Sequence, residues 1–325
     1  TPVTGMSCED SLQFLYYNDK HEIEQTKIDD KIPDYIAVAN DLDMISLPFA
    51  FTGGNVITDG QRTAFSTCVL LNENNYIGEP EEKFLKDARK IMGIENYNVI
   101  SNFEDEGIQH IDCFMKLLDE ERIFVARPPA DHPARQVYEG IVTQELSKLK
   151  NAFGRPYQIL WLDTDRYNGD ELAAYTNSLI LNQNIYVPLF CIPQDSVALK
   201  QWADAMPGYN VKGFEYILAK EPAIDPLAKD RYKTIGWTGG DALHCRTRAI
   251  WDLNMIYISV NRIPANVPKA SSYLLDVIIK DYSKGSLTPE SLKVMWRIQG
   301  KQEWKELKLA RTEFPDHFQA SFPGG

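Results

Sequence analysis

Apolar and polar positions along the chain repeat one order three times: two short apolar runs around a turn, an amphipathic stretch at helical spacing, and a further short apolar run. In the first copy, residues 44–51 and 62–71 are apolar runs joined by the turn formers Gly53-Gly54-Asn55 and Asp59-Gly60, which predicts a hairpin. Residues 80–92 then carry Phe84, Leu85, Ala88, Ile91 and Met92 on one helical face and stop at Gly93, before a strand at 97–100. The second copy has runs at 108–117 and 122–126 about Asp119-Glu120-Glu121, a helix from Pro133 through Val137, Ile141, Leu146 and Leu149, and a strand at 157–162. The third has runs at 178–181 and 185–189 about Asn182-Gln183-Asn184. Its helix is capped by Asp195 and carries Leu199, Trp202, Ala203 and Met206, and a strand follows at 211–218. A fourth hairpin is expected to open at Gly239 and close with residues 255–260.

The polar residues with chemical potential fall once in each copy. Asn55, His110, Asn177 and Cys245 follow one another at intervals of roughly sixty residues, as in blade-like arrays whose units each line a common axis. An active site is expected on that axis. Beyond Val260 the texture changes: residues 261–268 read as a linker, and 273–280, 292–298, 304–309 and 318–322 alternate like the strands of a small β-sandwich. The expected division is a domain over 1–262 and a second over 263–325, the latter with fewer strands than a full sandwich.

Composition narrows the function classes. A hydrophobic content of 44 % over 325 residues supports a large buried core, and 34 basic against 46 acidic residues leave a net charge of -12. That balance argues against nucleic acid and anionic lipid and favours a cationic ligand. No apolar stretch approaches the ~20 residues of a membrane span, so no membrane partner is expected. The five cysteines form no C-x-x-C pair, which argues against a zinc site or a disulfide scaffold. Cys8, Cys68, Cys113 and Cys191 lie in or beside apolar runs and read as small buried hydrophobes. Cys245 stands apart, directly behind Gly239-Gly240-Asp241-Ala242-Leu243-His244, and His110-Ile111-Asp112 offers the base and carboxylate that a nucleophilic thiol needs. If residues 110–112 are extended, His110 and Asp112 share a face.

Gly53-Gly54-Asn55, His110-Ile111-Asp112, residues 175–181 (Tyr-Thr-Asn-Ser-Leu-Ile-Leu) and residues 239–247 resemble the successive signatures of the bacterial peptidylarginine deiminase and agmatine deiminase family, within the guanidino-group-modifying (pentein) superfamily. The likeness is closest to the peptidylarginine deiminase branch. It implies an α/β fold, a pentein-type α/β propeller lacking its first blade in this chain, followed by an incomplete immunoglobulin-like β-sandwich segment. It further implies Cys245 as nucleophile, His110 as general acid and base, Asp112 as the carboxylate that orients the guanidinium, and Asn177 as a supporting polar group. Gly54, Asn55 and Trp237 are the further substrate-binding candidates, and neither a metal nor a cofactor is implied. The substrate implied is a peptide or small-molecule arginine derivative, the product a citrulline-type ureide plus ammonia, and the location secreted or periplasmic. Residues 1–50 hold no match to the family's Arg-Asp signature, and Tyr17-Asn18 is followed by Asp19-Lys20-His21 where carboxylate-binding members have arginines. Agmatine deimination, or guanidine binding without turnover, are therefore the alternatives.

Overall fold

Among the described residues, three hairpins are each followed by a helical segment and then by a strand that returns parallel to the hairpin's second strand. A computed structural model of the protein describes residues 31–49, 53–76, 78–104, 108–215, 237, 242–247, 252, 254–260, 263, 267–283, 285–298 and 301–324. The early segment 17–21, Cys8, residues 239–241 of the turn before the thiol, and Arg248 lie outside the described residues. The chain divides into two compact units, residues 1–249 and 250–325.

In the first unit, α1 (Ile32–Ala39) precedes a hairpin of β1 (Ile57–Thr58) and β2 (Thr63–Thr67), paired antiparallel. The turn is fixed by Asp59 Oδ1, which accepts from the backbone N–H of Gln61 at 2.7 Å and of Thr63 at 2.9 Å, and by Gly60 at φ +70°. Two helices follow, α2 (Val69–Tyr76) and α3 (Glu81–Met92). The latter has Glu81 and Glu82 in its first turn, Arg89 and Lys90 in its last, and Gly93 in the left-handed conformation as its stop. Its buried face, Phe84 and Ala88, packs with Phe49 and Leu70, and β3 (Asn96–Ile100) returns parallel to β2.

The second copy is β4 (Met115–Leu117) and β5 (Arg122–Arg127), then α4 (Arg135–Gln144), then β6 (Gln158–Asp163) parallel to β5. A short ribbon, β7 (Arg166–Asn168) with β8 (Glu171–Leu172), leads to the third copy. That copy is β9 (Leu179–Leu181) and β10 (Asn184–Leu189), α5 (Gln194–Ala205), and β11 (Asn210–Glu215) parallel to β10. Ile123 to Ala126 of β5 are all buried, so this strand reads as a continuous apolar run and not as an alternation. Parallel return strands require a crossover, which the helices supply.

Several expectations change at the level of pairing. Residues 44–47 form no strand; Phe49 caps the apolar face of α3, and the two-residue β1 pairs with β2 in their place. Residues 108–114 form no strand: His110 is extended, but Ile111 N–H is taken by Asn55 Oδ1 at 3.0 Å and Cys113 N–H by the His110 carbonyl at 3.1 Å, which closes a 3-10 turn over Ile111–Cys113. On α4 the inward residues are Tyr138, Ile141 and Val142, and Val137 faces solvent. Asp195 lies inside the first turn of α5 and clamps the preceding loop by accepting from Phe190 N–H, Ile192 N–H and the Tyr175 hydroxyl.

Within the second unit, β12 (Ile256–Val260) pairs antiparallel with β13 (Ser272–Asp281), placing Ile258 against Ile279. This strand was expected to close a fourth hairpin, whose opening lies outside the described residues; it covers one edge of β13, whose other edge is taken by β17. A ribbon of β14 (Lys293–Trp296) and β15 (Lys305–Lys308) precedes β16 (Ala310–Arg311) and β17 (His317–Pro323), and the larger sheet runs β12-β13-β17-β16. Leu275, Val277, Ile279 and Phe318 share a core with Leu292 and Val294. Among the described residues no helix is long and apolar enough to cross a membrane.

Candidate active site

Asn55 sets the local backbone on which the site is built. Its buried Oδ1 accepts from Thr67 N–H at 3.0 Å and from Ile111 N–H at 3.0 Å, and the Thr67 hydroxyl lies 2.9 Å away. The same hydroxyl is 2.9 Å from the Gln109 carbonyl, and Gln109 takes the left-handed conformation at φ 56°. The chain therefore turns sharply at 109–113, and the turn swings His110 and Asp112 into one place. Gly54 forms the wall opposite: a Cβ there would lie 2.9 Å from His110 Nδ1 and 3.2 Å from Asp112 Oδ2.

Asn177 brings the thiol to that place. It sits in the buried stretch between β8 and β9, where its Oδ1 accepts from His244 N–H at 2.7 Å and Cys245 N–H at 3.2 Å. Its Nδ2 is 3.0 Å from Cys245 Sγ. One carboxamide thus holds both the backbone and the sulfur of the thiol-bearing segment. Donor and acceptor atoms of Cys245, His110 and Asp112 all lie within 4.8 Å of one another, and no other trio of His, Cys, Asp or Glu among the described residues converges closely enough to ligate an ion together. Asn177 and His110 hydrogen-bond the sulfur, and His244 holds Asp112.

The charges of the site are set by burial and by these neighbours. Asp112 is fully enclosed; burial alone would push its carboxyl up, but the His244 hydrogen bond, the His110 ring and the Lys116 ammonium together hold it below the usual carboxylate range. Because that carboxylate is ionised and only accepts, His244 Nδ1, 2.7 Å from Asp112 Oδ2, carries the proton between them. The Cys245 thiol is held below its ordinary value, first by a hydrogen bond from Cys113 and then by His110 and Asn177, against the opposing effects of burial and of Asp112. Cys113 moves the other way, well up, through the same hydrogen bond and its burial. Lys116 Nζ is buried and donates to the Ser178 carbonyl at 2.6 Å. Desolvation lowers its pKa to about 8, although Asp112 and Cys245 pull it upward.

The structure thus draws together Cys245, His110, Asp112, Asn177 and Gly54. Asn55 stands behind them, and its buried Nδ2 has no hydrogen-bond partner among the described residues. Trp237 lies in an apolar cluster with Ala242 and Leu243, with the Arg246 guanidinium 5.9 Å from its ring centre. Three further members, none of them a deimination candidate in the sequence, join these: His244, Cys113 and Lys116. The signal for each was adjacency, since His244 precedes the thiol and the other two follow Asp112 in the same short motif. A cavity of about 440 Å³, lined by Cys113, Phe114, Tyr138, Glu104 and Ala174 among others, adjoins the site through Cys113 and is not lined by Cys245.

Comparison with known proteins gives the family and the fold. Residues 3–218 match the family model described as Porphyromonas-type peptidyl-arginine deiminase. The chain belongs to this family. The matched residues include His110, Asp112 and Asn177 and end before Cys245. A Vibrio parahaemolyticus relative with a provisional agmatine deiminase name is 23 % identical over 235 residues, 64 % of this chain and 60 % of its own length. The chain therefore spans about three fifths of such relatives. Among solved structures, the provisionally named arginine deiminase of Porphyromonas gingivalis is similar with a TM-score of 0.54 at 23 % identity, covering 67 % of this chain and 63 % of that one. The agmatine deiminase of Enterococcus faecalis is similar with a TM-score of 0.50 at 20 % identity, covering 57 % of each chain. These neighbours establish the α/β pentein fold for this member of the family.

Proposed function

We propose that this chain hydrolyses the guanidino group of an arginine derivative, as a hydrolase acting on the C–N bond of an amidine. The observation that carries the reading is the convergence of Cys245, His110 and Asp112 within 4.8 Å. A guanidinium carbon is deactivated by resonance, so attack calls for a thiolate and not a hydroxyl. Asp112 accepts N–H bonds from the planar cation; a carboxylate has about four acceptor sites, and the Cys113 Sγ contact to Asp112 Oδ1 is long, at 3.6 Å. Cys245 Sγ attacks the carbon, and ammonia leaves with a proton from His110. His110 then deprotonates a water that attacks the amidino-thioether carbon. The C–S bond breaks, and a ureide and the free thiol are returned. An imidazole suits both proton transfers because its ordinary pKa lies near ~6.5.

Within this reading the three hairpin-helix-strand copies are blades of an α/β propeller, and the second unit is immunoglobulin-like. The preferred substrate is peptidyl arginine, giving citrulline residues; the family model supports it, whereas the names of the curated relatives favour agmatine. Ammonia and ureide should be measured with an internal-arginine peptide, free arginine and agmatine. Release is expected from the peptide and should fall by about 10⁴-fold or more in Cys245→Ala. Undiminished release in that variant would remove the mechanism. Guanidine binding by calorimetry with no product from any of the three would favour the non-catalytic alternative.

A further inference from the structure

Cys113 has no part in the deimination steps. It shares the apolar core with Phe114, Met115 and Tyr138, as the small buried hydrophobe expected from the sequence does. Its sulfur also meets polar groups: Sγ lies 3.6 Å from Asp112 Oδ1 and 3.8 Å from Asn177 Nδ2, and it hydrogen-bonds the sulfur of Cys245. Both sulfurs share the same carboxamide nitrogen, at 3.8 and 3.0 Å. It also lines the 440 Å³ cavity that adjoins the site. The other described thiols lack this setting: Cys68 donates to the Ile100 carbonyl at 3.4 Å, and Cys191 is exposed.

We propose that Cys113 is a resolving thiol, which closes a disulfide with Cys245 when a hydroperoxide oxidises the nucleophile. The Cys245 thiolate attacks one peroxide oxygen and the O–O bond breaks. Sulfur is oxidised to a sulfenic acid, and the second oxygen leaves, protonated, as water or an alcohol. Cys113 then attacks the Cys245 sulfur; the S–O bond breaks, the S–S bond forms, and the thiol proton leaves with the sulfenic oxygen as water. A dithiol restores both cysteines by exchange and is itself oxidised to a cyclic disulfide. The pair spares Cys245 from irreversible over-oxidation while the site is out of use. The inference rests on the reading of Cys245 as an activated nucleophile, but its readout does not require turnover.

The test exposes the full chain to hydrogen peroxide, blocks free thiols with iodoacetamide, and maps the peptides by mass spectrometry. The expected result is a peptide pair joining Cys113 to Cys245, lighter by two hydrogens and separated again by dithiothreitol. In Cys113→Ser the pair is lost, and Cys245 should gain two oxygens that dithiothreitol does not remove. The proposal is overturned if wild-type Cys245 proceeds to the sulfinic acid while Cys113 stays free, or if its disulfide partner is Cys68 or Cys191. Should circular dichroism show Cys113→Ser to be unfolded, the wild-type peptide map decides alone. A Cys113–Cys245 disulfide in a protein that releases no ammonia would uphold this inference and sink the proposed deimination.

Discussion

Lys116 is a buried ammonium whose hydrogen-bond partner is one neutral carbonyl, that of Ser178. Burying a charge without a contacting counter-charge is costly, and desolvation accordingly depresses its pKa to about 8. What offsets the cost is the negative charge of Asp112 and of Cys245 as a thiolate. Because the folded-state pKa lies below the ordinary 10.5, the unfolded chain holds more protons across that window, so this lysine's contribution to stability rises with pH from about 8 towards 10.5. Thermal melts of wild type and Lys116→Met at increasing pH should show the wild type gaining on the variant through that range; a constant difference would refute the assignment. Below pH 8 the variant should equal or exceed wild type in stability, while alkylation of Cys245 should require a higher pH once the nearby cation is gone. His110→Ala should reduce turnover by about 10²–10⁴-fold, read in kcat, as expected for loss of one general acid and base.

At the scale of elements, the 3-10 turn at Ile111–Cys113 and the Gly53-Gly54 backbone form a matched pair of walls. Gly54→Ala places a methyl against His110 Nδ1 and Asp112, and should cut kcat at least tenfold with the melting temperature little changed. Gly53→Ala meets nothing within 4 Å and serves as the control. Equal losses in both would mean that backbone freedom, and not contact, matters there. Helix α3 was legible in the sequence because Phe84 and Ala88 recur at its own period and Gly93 ends it, all local signals. The 109–113 turn was not, since its shape comes from Asn55, a residue 56 positions from Ile111. For the same reason the pairing of β12 with β13 was not legible: which edge a short apolar strand joins is decided by distant partners, and Ile256–Val260 carries no local mark of β13. The four catalytic candidates were legible as residue types and order, whereas the hydrogen bond of His244 to Asp112, which ties together residues 132 positions apart, was not.

For the whole molecule, the net charge of -12 sets a long-range attraction for cations that salt weakens. KM for a cationic guanidine should therefore rise severalfold between low and high ionic strength, with kcat nearly constant; a salt-independent KM would show that the field of the protein plays no part. Stability should respond far less, since pairs such as Arg62 with Glu95 and Lys293 with Glu306 lie at the surface, where each contributes about 0–1 kcal/mol. The Asn177 carboxamide has a temporal consequence as well. It joins segments around residues 113, 177 and 245 that leave the ribosome far apart in time, and contacts of such sequence separation form late. On the proposed reading of Cys245, a nascent chain that has completed its individual hairpins would still carry an ordinary thiol, and the lowered pKa would arise only when the segment bearing residue 245 docks against Asn177.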